Sequence, residues 1–261
     1  MIGRVLICAG SDSGAGAGIQ ADLKTVMALG GYAMTAVTAL TAQNTRGVQA
    51  VMPVEPGFVR RQMACVLDDI GADAVKTGML LNAGVVAAVA AELATRPATL
   101  PLVLDPVMVA KGGASLLADD AIGAMRALLF PRTLLLTPNV PEAELLLGTR
   151  IGDLAAMQQA ATALRGLGPA NVLLKGGHLD GVRVYDVLAT ASGVAVFESV
   201  RVDSRHTHGT GCTLASAIAT GLAQGNGLAE SVVRARAYVL AAIRTAPGLG
   251  GGHGPLDHWQ H

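Results

Sequence analysis

Aromatic residues are scarce in this chain of 261 residues, at 3% of the composition, which argues against rows of stacked bases or a large aromatic docking surface. Charge of either sign is not in excess: nineteen basic residues offset nineteen acidic ones, so no net positive field holds a nucleic-acid backbone or an anionic membrane. Cysteine is rare and dispersed. Cys8, Cys65 and Cys212 form an odd set without CxxC spacing, which excludes a closed disulfide framework and fits a reducing compartment. Long apolar runs are missing too. The N-terminal MIGRVLICAGSD is too short in apolar residues for a signal peptide, and the longest apolar stretch, Val85 to Leu93, is broken by Glu92 and falls short of the roughly 20 residues of a membrane span. The expectation is a cytoplasmic protein with a small-molecule partner, and neither a nucleic-acid nor a membrane partner.

What is abundant is hydrophobic residues, 51% of the chain, enough for one large core rather than two small ones. Short runs, RVLIC, YAMTAVTAL, ADAVKTG, PLVLDPV, TLLLTPN and NVLLKGG, are nearly continuous in apolar residues, as in strands covered on both faces. They alternate with stretches of helical period: ADLKTVMALG, FVRRQMACVLDDI, AGVVAAVAAELAT, DAIGAMRALL and LAAMQQAATALRGLG. This alternation predicts repeated βαβ units around a mainly parallel central sheet. The segment VRVYDVLATASGVAVFESVRV instead alternates with period two about Ala191-Ser192-Gly193, and so predicts an appended antiparallel hairpin. Two helices follow, from about Thr213 to Ala223 and about Ala229 to Thr245, before a glycine-rich tail. No linker or repeat divides residues 1–261, so a single domain is expected.

In such a sheet the ligand crevice lies outside the carboxyl ends of the strands. One candidate there is His206-Thr207-His208-Gly209-Thr210-Gly211-Cys212, a glycine turn that opens a helix of small residues. Free N–H groups and the helix dipole would favour an anion, although a plain helix start with permissive glycines has the same sequence. The first loop, GSDSGAGAGIQAD, has Ile19 where GxGxxG needs its last glycine, and GxxxxGK[ST] is absent, so neither a dinucleotide fold nor a P-loop is supported. Asp105 and Glu142 stand at successive strand ends, where two carboxylates suit magnesium bridged to nucleotide phosphates. Helix capping or turn chemistry is the alternative for each. Lys175 ends NVLLKGG in the same way, either to meet a phosphate or to sit in solvent. The histidines lack the partners of a zinc site, and His206, His208, His253, His258 and His261 are expected to be turn or surface residues.

A series of motifs in order, AGSDSGAGAGIQADLKT, TALTAQNTRGV, VKTGML, LDPVMVAKGG, TPNVPEAELLLG, LLKGGH and HTHGTGCTLASAIA, with the tail LGGGHGPLDH, resembles the hydroxymethylpyrimidine and phosphomethylpyrimidine kinases of thiamine biosynthesis. These belong to the ribokinase-like superfamily. The resemblance runs along nearly the whole chain and implies a ribokinase-like three-layer α/β/α sandwich that uses ATP and Mg2+ to phosphorylate 4-amino-5-hydroxymethyl-2-methylpyrimidine and then its monophosphate. It implies an anion hole of Gly209, Gly211 and Cys212, magnesium held by Asp105 and Glu142 largely through water, and Lys175 and Thr210 on the nucleotide side. Gln43 would read the aminopyrimidine edge through its amide, with Asp22, Gly10 and Met79 completing the pocket.

Cys212 stands where the related sugar kinases are expected to carry an aspartate base. A helix N-terminus would lower its pKa and make a thiolate base that does not repel the phosphate acceptor of the second step; small-residue packing is the alternative reading. Arg236, in ARAYVLAAI, departs from the lysine the family leads one to expect there. A pyridoxal or pyridoxine kinase of the same superfamily and a non-catalytic pyrimidine-binding regulator are the competing functions. A homodimer is the expected assembly.

Overall fold

The computed structural model describes residues 2–108 and 119–259; residues 109–113 of the LDPVMVAKGG motif, and His261, lie outside them. Among the described residues the chain runs β1 (Arg4–Ala9), α1 (Gly18–Ala28), β2 (Tyr32–Val37), β3 (Ala39–Asn44), β4 (Gly47–Pro53), α2 (Pro56–Asp69), β5 (Ala74–Thr77), α3 (Ala83–Leu93), β6 (Leu102–Leu104), α4 (Asp119–Leu128), β7 (Leu135–Leu136), α5 (Val140–Leu147), α6 (Leu154–Arg165), β8 (Asn171–Lys175), β9 (Arg183–Thr190), β10 (Gly193–Val200), α7 (Thr210–Ala223) and α8 (Leu228–Arg244). None of these helices is long and apolar enough to cross a membrane.

The main sheet has the order β10-β9-β8-β7-β6-β5-β1-β2. Its pairings are parallel from β2 to β8, and β9 and β10 add the expected antiparallel hairpin at the edge. Successive side chains point to opposite faces, which explains why the strands are apolar throughout. On β1, Leu6 and Cys8 enter a core shared with Val59, Val85, Met125 and Met157 of the helices on one face. Val5, Ile7 and Ala9 enter the other, with Val26 of α1, Ile218 of α7 and Val239 of α8. The result is a three-layer α/β/α sandwich.

Two local expectations need correction. The run YAMTAVTAL is not one strand. It breaks at Thr38, whose N–H donates to Ala9 O and whose Oγ1 donates 2.6 Å to Met79 O, tying the chain to the ends of both β1 and β5. The chain then leaves the main sheet, and β3 pairs antiparallel with β4 in a separate ribbon with an irregular register at Ala42/Gln43. Such an irregularity re-aims side chains, here that of Gln43. Secondly, TPNVPEAE opens a helix absent from the expected set, α5, with Pro141 in the first turn and a reciprocal capping box between Asn139 and Glu142, in keeping with the helix-capping alternative for Glu142.

The glycine-rich tail is part of the body. His208 pairs with Pro255 in an isolated bridge, Leu256 is fully buried, and Tyr238 Oη donates 3.1 Å to His258 O. His258 is therefore not a surface residue: it is buried, with Nε2 3.0 Å from Thr213 Oγ1. Burial pushes its pKa down to about 4, so the ring is neutral at pH 7.

Leu256→Ala should lower unfolding stability by about 2–5 kcal/mol, the usual cost of truncating a fully buried leucine. Urea denaturation measures it, and an unchanged midpoint would mean that the tail does not belong to the cooperative core.

Candidate functional site

The order of the parallel strands reverses at the junction of β1 and β5, with β2 added on one side and β6 to β8 on the other, and a crevice opens there outside the carboxyl ends of the strands. Gly10 follows β1, and Gly78 and Met79 follow β5; all three line a cavity of about 800 Å³. A Cβ at Gly10 would collide with Met79 Cε, so the absence of a side chain is what lets Met79 lie across the end of β1.

One end of the cavity is the anion turn. Gly209 caps α7 at φ +83, a left-handed conformation, and a Cβ there would collide with Gly16 O of the first glycine loop. No side chain caps the helix, and Thr210, Gly211 and Cys212 of its first turn line the cavity, where the Thr210 N–H donates to Thr207 O and those of Gly211 and Cys212 are left for a ligand. A Cβ on Gly211 would stand 3.2 Å from Lys175 Nζ and 3.6 Å from Asp105 Oδ2, so three of the expected residues converge here.

Lys175 Nζ donates 2.8 Å to Asp105 Oδ1, which also accepts from Thr137 Oγ1 at 3.1 Å. The lysine is thus not a solvated one. Burial lowers its pKa, but Asp105 and Glu142 outweigh that and leave it raised, so the ammonium stays charged. Glu142 is both a cap and a wall residue: Oε2 accepts from Asn139 N at 2.8 Å, while the side chain lines the cavity. Burial raises its pKa, the Asp105 charge adds to the rise, and Lys175 opposes it. Among the described residues no three histidine, cysteine or acidic side chains form a metal cage. Two carboxylates on one ammonium fit a cation that keeps most of its water, which is magnesium chemistry rather than zinc chemistry.

At the other end stands Gln43. Its backbone is pinned by Ser13, whose Oγ donates to Gln43 O and accepts from Gln43 N, both at 2.8 Å. Beside it is His208, which belongs to the cavity wall and not to the surface: Nε2 lies 2.9 Å from Asp12 Oδ2 and 3.3 Å from Gln43 Nε2. Asp12 also accepts from the N–H groups of Gly14, Gly16 and Ala17, and so shapes the first loop. Burial pushes the Asp12 carboxyl up, but His208 and these N–H groups overcome it and leave the pKa below the ordinary value. The sequence leads one to expect His208 as a turn or surface residue; its position next to the glycine turn is the signal that marks it as a wall residue.

Asp22, expected in the pyrimidine pocket, does not line the cavity. It is on the buried face of α1 with Ala21, Thr25 and Val26, where it takes Lys76 Nζ on both oxygens at 2.8 and 2.9 Å and Ser216 Oγ at 2.7 Å. Both members of the ion pair are fully buried. Lys76 Nζ comes within 3.1 Å of the Cβ position of Gly78, so the pair supports the cavity floor from beneath. Its carboxylate holds the Lys76 ammonium protonated despite burial.

Cys212 also departs from expectation. Burial pushes the thiol up to about 11, with the Asp22 and Asp105 charges adding to the rise and Lys76 opposing it, so it is neutral at pH 7. Arg236 does line the cavity, with Nε donating 2.7 Å to Asp186 Oδ2 and its guanidinium 5.5 Å above the Phe197 ring.

The phosphomethylpyrimidine kinase family model matches residues 12–257. The chain is 54% identical to a thiamine biosynthesis bifunctional protein of Geobacter sulfurreducens, over 98% of this chain but 52% of that longer protein. It is 50% identical to the hydroxymethylpyrimidine/phosphomethylpyrimidine kinase of Streptomyces coelicolor, covering 97% of this chain and 93% of that one. Among solved structures, the ADP complex of Bacillus subtilis pyridoxal kinase superposes with a TM-score of 0.90 at 34% identity, over 99% of this chain and 98% of that chain.

A thiol near 11 leaves about one thiolate in a thousand at pH 8. Iodoacetamide labelling of Cys212, followed by peptide mass spectrometry, should therefore keep accelerating from pH 8 through pH 10. A rate that levels off below pH 9 would show that the helix terminus prevails over burial.

Proposed function

The chain belongs to the phosphomethylpyrimidine kinase family, a group with the ribokinase-like fold, and on that premise we propose that it moves the γ-phosphoryl group of ATP to 4-amino-5-hydroxymethyl-2-methylpyrimidine and then to the monophosphate. The observation that carries this reading is one continuous cavity with a neutral carboxamide, Gln43, at one end and an anion turn with Lys175 at the other. Gln43 pairs with the aminopyrimidine edge, with Gly10 and Met79 against the ring. The hydroxymethyl group then points to Gly209, Gly211 and Cys212, whose N–H groups stabilise charge on the transferring phosphoryl group. Lys175 and Thr210 face the nucleotide. Asp105 and Glu142 would hold magnesium, mainly through water, and the ion when bound supplies charge neutralisation between the phosphates.

Phosphoryl transfer through a loose transition state depends on position and charge more than on a strong base, so a neutral thiol beside the acceptor suffices. It also leaves a phosphate acceptor unrepelled, whereas an aspartate at Cys212 would oppose the second step. Asp22, beneath the floor, sets potential through Lys76 rather than touching substrate.

The assembly in this reading is a homodimer. The β3–β4 ribbon exposes Leu40, Val51 and Met52, and the edge strand β10 exposes Val194, Val196 and Val200, surfaces that favour a second copy over water. A single domain and a cytoplasmic setting complete the proposal, the latter in keeping with three free cysteines. A second reading, pyridoxal kinase activity, draws on the likeness to the Bacillus subtilis enzyme.

Phosphorus NMR with ATP, magnesium and the hydroxymethylpyrimidine, beside a tube containing pyridoxine, tests both readings. The pyrimidine monophosphate should appear first and the diphosphate second; pyridoxine phosphate alone would transfer the assignment to the second reading. Gly211→Asp puts a carboxylate beside Asp105 and should lower kcat by roughly a thousandfold. Cys212→Ala should slow the first transfer by less than about tenfold, because a neutral thiol takes no proton from the hydroxyl and its loss costs positioning alone. A loss of a hundredfold or more confined to the hydroxyl acceptor would show instead that the thiol acts as its base.

A further inference from the structure

A carboxamide has two ends that a half turn exchanges, and its hydrogen-bond partners decide which way round it sits. Gln43 has a neighbour on each side. With Nε2 toward His208 at 3.3 Å and Oε1 toward Thr41 Oγ1 at 3.4 Å, both contacts are mismatched. The Asp12 carboxyl has a lowered pKa and is ionised at pH 7, so it can only accept; the ring nitrogen 2.9 Å from its Oδ2 must carry the hydrogen. A ring N–H has no lone pair for an amide N–H. On the other flank, the single hydroxyl hydrogen of Thr41 is already donated to Ser11 O at 2.8 Å, so Oγ1 can only accept from Gln43. Both flanks therefore demand the opposite orientation, oxygen toward His208 and nitrogen toward Thr41.

From this geometry we infer that the Asp12–His208 pair is a positioning device that fixes the Gln43 carboxamide in one orientation and thereby sets which heteroaromatic edge the site accepts. One lone pair of Oε1 takes a share of the His208 N–H, and one Nε2 hydrogen goes to Thr41. The remaining lone pair and hydrogen lie side by side on the free edge of the amide. They match a substrate with a ring nitrogen that accepts on the Thr41 side and an exocyclic amine that donates on the His208 side. The site thus reads the order of acceptor and donor as well as their presence, and an analogue lacking the amine leaves Oε1 without its partner.

His208 is held for this task from several directions. Its ring is only 15% exposed, and a Cβ on Gly16 would come within 2.5 Å of its Cδ2, so the first glycine loop packs against the imidazole. His208 N donates to Gly254 O, which joins the ring's backbone to the tail. The Asp12 carboxylate is fixed by three loop N–H groups, so the ring cannot turn away without leaving a buried charge short of a donor.

The inference rests on the assignment of Gln43 to the pyrimidine edge, and two measurements separate the two ideas. Nitrogen-15 NMR of the histidine side chains in the unaltered protein should show His208 Nε2 protonated; an unprotonated Nε2 would overturn the positioning role whatever the substrate. The second measurement is the ratio of kcat/KM for the hydroxymethylpyrimidine to that for its des-amino analogue, in which any general damage to the anion turn cancels. Gln43→Leu should reduce this preference about tenfold, His208→Leu should reduce it by a similar factor, and the double variant should lose no more than either alone. His208→Gln, which keeps an N–H between Asp12 and the amide oxygen, should recover most of it. A preference that survives Gln43→Leu would displace Gln43 from the pyrimidine edge. A preference lost in Gln43→Leu but kept in His208→Leu would leave Gln43 in place and overturn the role of His208.

Discussion

The close seating of α7 against the sheet and its neighbours is the constraint on which the site depends. Ten of its residues, from Thr213 to Ala223, are buried, and all but Leu214 and Ile218 are small enough for backbones to approach one another. A Cβ on Gly221 would meet Ser231 Oγ of α8 at 2.6 Å, and one on Gly3 would meet the Ala223 carbonyl carbon at 2.8 Å. A helix packed this tightly on both flanks cannot slide, and its N-terminus is held over the crevice. Gly209 then completes the placement, because only a residue without Cβ can bring the anion turn against Gly16 O. The composition of α7 is thus set by the approach distance, and the position of the anion turn follows from it.

Around that terminus the ionised groups form two layers. Beneath the floor, Lys76 and Asp22 are fully removed from water and satisfied by one another and by Ser216. In the wall, Lys175 carries one positive charge between two carboxylates. Buried ion pairs are weak devices for stability, since apolar residues of similar volume often serve as well. Their use here is electrostatic. The lower layer places a cation beneath Gly78 and Cys212 without presenting it to the substrate, while the upper layer gathers Asp105, Glu142 and the Lys175 ammonium at the wall of the cavity.

How much of this was legible in the sequence depended on whether the deciding contact was local. The strands could be read because burial on both faces leaves continuous apolar runs, and the glycine turn because its conformation restricts its own residues. Asp105 and Lys175 could be read from their places at strand ends. Asp22 was misplaced for a geometric reason: a motif gives neighbourhood along the chain, but one step around α1 decides whether a carboxylate faces the cavity or Lys76. Cys212 shows the same limit, since its helix terminus is written in the sequence while the burial that raises its pKa comes from the fold. His208 was the most hidden, because its partner Asp12 lies 196 positions away. The helix α5 was obscured by its own capping residues, which are equally good turn residues until Glu142 closes the box.

The two ends of the cavity work by different physics, and this division explains the choice of residues between them. In the proposed reading, recognition at Gln43 is by neutral hydrogen bonds, whose direction matters and whose range is short, so it tolerates no error in which atom donates. The transfer end works by charge, which acts over several ångströms and tolerates small displacements but responds to every added ion. Cys212 lies where the two regimes meet. A charged side chain there would extend the electrostatic regime over the acceptor, favouring a hydroxyl and opposing a phosphate. A half-buried neutral thiol leaves the acceptor to be positioned by the ring and its amide, so one recognition geometry can present two acceptors of different charge to the same anion turn.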